Sequence, residues 1–182
     1  MNEQVDISLI IFILITMVLS AFFSGMEIAF VSSNRMLVQM DKEKNGFSQR
    51  FLTLFYSNPN AFVSTMLVGN NIVLVIYGIL IARLLDNTIF VGMNPAFTVP
   101  ADTILSTLII LFTGEFVPKT LFNSNPNRLL KLFAFPAYLF YVILWPISRF
   151  ATFLARIILG LLGVSIPKDA VCLLYTSDAA DD

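Results

Sequence analysis

The 182 residues predict an all-α integral membrane protein, with three spanning helices followed by a pair of helices lying along one membrane face. Three observations carry that prediction. The chain is 57% hydrophobic and only 13% charged, with a mean hydropathy of +0.83, outside soluble usage on both counts. Its apolar residues gather into runs long enough to cross a hydrocarbon layer of ~30 Å as helices. Its lysines and arginines collect in particular segments between and after those runs.

The first span covers residues 7–31, interrupted only by Ser20, Ser24, Gly25 and Glu27. Glu3 and Asp6 precede it with no lysine or arginine, and no small-x-small cleavage pattern ends it. It therefore reads as a retained span and not an export signal. Residues 35–58 carry Arg35, Lys42, Lys44 and Arg50 around Asn45-Gly46 and stay out of the hydrocarbon core. Asn58-Pro59-Asn60 is a helix-start signal for the second span, residues 61–85. A turn-rich connection, residues 86–100, leads to the third, residues 101–122. Residues 129–163 are hydrophobic but hold Pro136, Pro146, Lys131, Arg149 and Arg156. A clean crossing would bury proline and charge, so two interfacial helices are expected there.

Orientation follows from the same cations. The segment after the first span and the stretch after the third are rich in lysine and arginine, while the N-terminal tail and residues 86–100 have none. The positive-inside rule then places the N-terminus outside and the C-terminal end in the cytoplasm of a plasma-membrane protein, with an odd number of crossings.

Composition also excludes function classes. With no histidine and one cysteine, Cys172, the chain cannot build a zinc or copper centre or an internal disulfide, and no reaction can use a histidine base. The spans hold no aspartate pair, so neither usual intramembrane hydrolase mechanism can be assembled and no enzyme is expected. A net charge of −1 with no basic stripe argues against nucleic-acid binding.

The chemistry-bearing residues are oxygen donors at membrane depth. Glu115 lies in an otherwise uncharged apolar stretch, residues 104–117, where a charge costs roughly 3 kcal/mol on insertion scales. Ser24-Gly25 interrupts the first span and Gly69-Asn70-Asn71 the second. Carboxylate, hydroxyl, carboxamide and loosened backbone carbonyls together suit a hard cation such as Mg2+, which takes oxygen ligands in near-octahedral geometry. Pro118 removes a backbone donor and frees the carbonyl four residues earlier, at Gly114, as a further ligand. Each group also has a structural use. Ser24-Gly25 can be a small-residue helix contact, and the asparagines can be interhelical glue worth on the order of 1 kcal/mol per bond. Adjacent helical positions diverge, so one of Asn70 and Asn71 faces a site at a time. Glu27, near the inner end of its span, can simply pair with Lys119.

Three stretches together resemble a known family: Phe23-Ser24-Gly25-Met26-Glu27-Ile28-Ala29-Phe30, Leu67-Val68-Gly69-Asn70-Asn71 and Gly114-Glu115-Phe116-Val117-Pro118-Lys119-Thr120. They are similar, in order, to motifs of the transmembrane domain of the cyclin M (CNNM) and CorC magnesium transporters, over residues 5–167. The resemblance implies a homodimer whose protomers each have three membrane helices and a juxtamembrane helical belt. It implies export of Mg2+ with Na+ as the coupling ion. It assigns the ion to Ser24, Asn70 and Glu115, completed by backbone carbonyls of Gly69 or Gly114. Asn71, Glu27, Lys119 and Pro118 are accessory positions. The alternative is a membrane sensor or scaffold that binds Mg2+ without moving it.

Domain organisation is read as a transmembrane domain over residues 1–168 and a tail over 169–182. From Cys172 onward the tail resembles a translated sequencing adapter and is set apart as non-native. Family members continue into paired cystathionine-beta-synthase (CBS) domains that bind ATP-Mg2+, and these cytoplasmic domains are expected in the full-length protein.

Overall fold

The computed structural model describes residues 7–34, 47–92 and 94–162. Every regular element among them is helical. They are α1 (Ile7–Ser32), α2 (Phe47–Ser57), α3 (Pro59–Thr88), α4 (Pro95–Ile110), a π-helical turn (Leu111–Phe116), α5 (Val117–Ser124), α6 (Pro126–Leu132) and α7 (Ala134–Leu161). The stretch 35–46 and the tail 169–182 lie outside the described residues, as do the expectations that fall on them.

α1 buries Ile13, Thr16, Ser20, Phe23, Ser24 and Phe30 at helical spacing, while Ile11, Phe12, Leu14, Ile15 and Val18 stay exposed. Both faces are apolar, and the small polar groups are on the packed one. A soluble helix would reverse this; here the outer face meets lipid and the inner face meets other helices. α3 starts on Pro59 after Asn58 and turns Phe62, Met66, Asn70, Val73 and Tyr77 inward against α1. α4 is capped by Asn94, whose side-chain Oδ1 accepts from the Ala96 N–H at 3.1 Å. It continues through the π turn into α5, giving an apolar path from Ala96 to Ser124.

Two apolar clusters hold these helices together. One joins Phe23, Phe30, Phe62, Met66 and Val73 to Leu52 and Phe55 of α2, Leu130 of α6 and the first turns of α7 at Ala134 and Ala137. The other joins Ile13 to Tyr77, Ile81 and Leu85. On α1 Ser20 falls between the two clusters, and on α3 Asn70 lies within the first, between Met66 and Val73. The near end of α1 is tied down by a hydrogen bond between the Ser33 and Tyr56 hydroxyls. Asn34 N–H also donates to Asn127 Oδ1 at 3.0 Å.

The span count differs from the sequence expectation. Among the described residues, four helices are long and apolar enough to cross a membrane: Ile7–Ser32, Pro59–Thr88, Ala96–Ser124 and Ala134–Leu159. Residues 129–163 were expected as two interfacial helices broken at proline. Instead α7 runs unbroken through Pro146. A proline inside a helix removes one backbone bond, and apolar surroundings tolerate that loss better than a broken helix that exposes several unpaired groups. With four candidate crossings the odd-number argument for a cytoplasmic C-terminus lapses. The lysine and arginine asymmetry across the first two loops is untouched. Residues from Arg149 onward form a second unit, described to Leu162.

Candidate cation site

Midway along α1, α3 and the third apolar helix, four oxygens come from three helices. Ser20 and Ser24, one turn apart on α1, are fully buried, and Asn70 on α3 is 3% exposed. Ser20 Oγ lies 3.4 Å from Asn70 Oδ1 and 3.3 Å from the Gly114 carbonyl oxygen, with one proton to share between the two acceptors. Ser24 Oγ is buried with no hydrogen-bond partner among the described residues. A buried hydroxyl left alone costs about 1–3 kcal/mol, so an orphan one helical turn from Ser20 calls for an explanation.

Glycine makes the approach possible. A Cβ on Gly114 would lie 3.0 Å from Ser20 Oγ and 3.3 Å from Leu74 Cδ2. A Cβ on Gly69 would lie 2.6 Å from the Phe23 ring and 2.9 Å from Leu144 Cδ1, so this glycine seats α3 against α1 one residue before Asn70. Among the described residues, no side chain donates a hydrogen bond to the Gly69 carbonyl.

The π turn explains how Gly114 offers its carbonyl. The Val117 N–H donates to Phe112 O, five residues back, and so leaves the Thr113 carbonyl that an α-helix would give it. Pro118, buried in the first turn of α5, has no N–H for Gly114. The freed carbonyl predicted from Pro118 is thus present as the acceptor of Ser20, inside a register shift that the sequence reading did not include. Thr113 anchors the turn from its other side. Its hydroxyl donates to Ile109 O at 2.7 Å, so the Tyr77 O–H, 2.9 Å away and buried, donates to Thr113 Oγ.

Other expected residues fall elsewhere. Asn71 is exposed and donates to Leu67 O of its own helix at 2.9 Å. The Glu115 side chain is 31% exposed, and its Oε2 pairs with Lys119 Nζ at 3.9 Å and not with the four oxygens. Lys119 was expected to pair with Glu27; it pairs with Glu115, four residues before it on the same helical path, the favoured Glu-to-Lys order. Glu27 is partly buried and has no ion-pair partner among the described residues. Ser20 is the residue that sequence reasoning missed, although its place one helical turn before Ser24 could have revealed it.

The described residues hold no group of three or more histidine, cysteine or acidic side chains, so a cation bound here would rely on neutral oxygens. That donor set suits a hard ion and not a soft one. Residues 9–178 match the family model described as the cyclin M transmembrane N-terminal domain. Over 150 residues the chain is 31% identical to the UPF0053 protein MG146 homolog of Mycoplasma pneumoniae, covering 79% of this chain and 34% of that protein. It is 26% identical over 152 residues to the UPF0053 protein MG146 of Mycoplasma genitalium, covering 79% and 35%. The chain therefore spans about a third of the length of the curated relatives it matches.

Proposed function

The chain belongs to the cyclin M transmembrane N-terminal domain family, and from that premise we propose that it carries Mg2+ across the plasma membrane, outward and in exchange for Na+. The observation that supports this reading best is the buried cluster of Ser20 Oγ, Asn70 Oδ1 and the Gly114 carbonyl, with the unpartnered Ser24 hydroxyl one helical turn along α1. Transport sites near the bilayer centre are built at such interrupted helices. Ser24, Asn70 and Gly114 supply neutral ligands, and Glu115, next to Gly114 in the π turn, supplies the charge. Stripping water from Mg2+ is costly, and a carboxylate that leaves Lys119 for the ion offsets part of that cost.

The family resemblance favours a homodimer as the working unit. The cation-rich segments around residues 35–50 and 125–131 are assigned to the cytoplasm, which places the N-terminus outside. Nothing in the donor set equips the domain for group transfer, so its role is movement of an ion and not catalysis.

The test is Mg2+ flux from proteoliposomes with and without an opposing Na+ gradient. Flux that needs the protein and responds to Na+ supports the full reading. Saturable Mg2+ binding without flux assigns the domain to a sensor or scaffold instead, and absence of both refutes the cation site.

A further inference from the structure

We infer that Ser20 is itself a ligand of the transported cation, donating its proton when the ion is absent and its lone pair when the ion is present. The inference rests on the Mg2+ reading above and adds a residue that lies outside all three motif stretches. Ser20 is fully buried, and its Oγ touches both the α3 and the π-turn oxygens.

Two features separate a ligand from a simple interhelical bond. The distances of 3.4 and 3.3 Å are long for a hydroxyl donor, which prefers roughly 2.7–2.8 Å. Neighbouring oxygens around Mg2+, with metal–oxygen bonds of about 2.0–2.1 Å, lie roughly 2.9 Å apart, so the cluster needs to contract by only about half an ångström. The second feature is proton supply. Asn70 Oδ1 and the Gly114 carbonyl both face the single Ser20 proton, and the buried Ser24 hydroxyl, one turn along α1, has no partner among the described residues, so lone pairs on these oxygens are left without a strong partner. A cation among these oxygens would engage those lone pairs. The Ser20 proton then turns back to a carbonyl of its own helix, the usual alternative for a helical serine, and its lone pair faces the ion.

A sulfur in place of the oxygen tests this directly, because thiolate ligands prefer soft metals over Mg2+. Ser20→Cys is made with Cys172→Ser, leaving one thiol, and melting in detergent is followed against MgCl2 and CdCl2. Ser106→Cys in the same background is the control; Ser106 is also buried, but its hydroxyl bonds Thr103 O of its own helix. Ser20→Cys should need at least about tenfold more Mg2+ for the same melting shift and should gain a shift with micromolar Cd2+, on the order of magnitude by which altered metal surroundings change affinity. Ser106→Cys should keep the Mg2+ response and gain none with Cd2+. Should Ser20→Cys fail to fold, the smaller Ser20→Ala should still raise the Mg2+ midpoint about tenfold. A wild-type Mg2+ midpoint in Ser20→Cys or Ser20→Ala, or a Cd2+ shift equal to that of Ser106→Cys, overturns the assignment. A wild-type protein with no Mg2+ shift at all refutes the underlying cation reading, a result distinct from failure of Ser20 alone.

Discussion

Gly114→Ala separates the site from the fold. The new Cβ would stand 3.0 Å from Ser20 Oγ and 3.3 Å from Leu74 Cδ2. Leu74 can move a methyl, but Ser20 Oγ can retreat only by giving up the Gly114 carbonyl at 3.3 Å and Asn70 Oδ1 at 3.4 Å. In stability the effects nearly cancel. Replacing a helical glycine with alanine gains roughly 0.5–1 kcal/mol, and two interhelical hydrogen bonds in a membrane are worth about 0.6 kcal/mol each. The metal-free melting temperature should therefore change little. Ion binding should change much more, because the backbone oxygen and the hydroxyl are displaced together. If affinity falls tenfold, the stabilisation conferred at a Mg2+ concentration 100 times the original Kd drops from about 2.7 to about 1.4 kcal/mol. The assay is a Mg2+ titration of thermal melting in nanodiscs, paired with flux. A Gly114→Ala protein with the wild-type Mg2+-dependent shift and wild-type flux would refute the placement of the ion at this carbonyl.

Gly69→Ala should behave in the opposite way, losing about 1–3 kcal/mol with or without Mg2+. The Phe23 ring it strikes is 2% exposed and wedged between Phe22 and Phe140 at centroid distances of 5.5 and 4.9 Å. Gly78→Ala, whose Cβ would meet only Ile110 Cδ1 at 3.5 Å, should be neutral or slightly stabilising by the same melting measurement. Glu115→Gln should abolish Mg2+ flux in liposomes while leaving metal-free stability little changed, since a neutral amide is cheaper to hold at membrane depth and the pair that Lys119 loses is long and partly exposed; near-normal flux would remove Glu115 from the transport step. In a Cys172→Ser background, a cysteine at residue 94 should react with impermeant reagent in intact cells and one at residue 45 only after permeabilisation. The reverse pattern would invert the assigned orientation. Deletion of residues 171–182 should alter neither membrane insertion nor the Mg2+ melting shift; loss of either on gel or in the titration would make the tail part of the domain.

The spans were legible because they rest on composition over many residues. α1 and α3 end within about three residues of the expected bounds, and helix ends carry that uncertainty under any definition. α7 was misread because proline and two arginines were weighted as breakers, although an apolar environment changes the balance for proline. Asn70 and Asn71 were resolved in principle by helical geometry, but which of them faces inward depends on how α3 rotates against α1. The Phe23 contact at Gly69 sets that rotation, and no local pattern encodes it. The π turn shares this limit. Pro118 marks a lost donor, yet the extra residue in the turn is fixed by Thr113 with Tyr77 and by Ser20 with Gly114, contacts between distant segments. The Glu115–Lys119 pair, by contrast, was readable from spacing alone.

The separation of charge from the neutral oxygens has a consequence for how the site could work. A carboxylate fixed among Ser20, Ser24, Asn70 and the Gly114 carbonyl would bury an unpaired charge whenever the ion left, and so would hold the ion too firmly to release it. With Glu115 on Lys119, the cluster of neutral oxygens holds no charge and the carboxylate is compensated by the lysine. On the proposed reading the neutral oxygens would set which ion fits, through spacing and hardness, and the carboxylate would set how strongly it is held, through competition with the lysine. The i,i+4 pair is half-exposed and 3.9 Å long, a geometry that contributes little in water and is correspondingly easy to break. A π turn is well placed for this exchange, because losing its extra residue rotates one side of the helix relative to the other by about 100°. Gly114 and Glu115 lie in that turn, so a single change of register would move together the carbonyl that meets Ser20 and the carboxylate that meets Lys119.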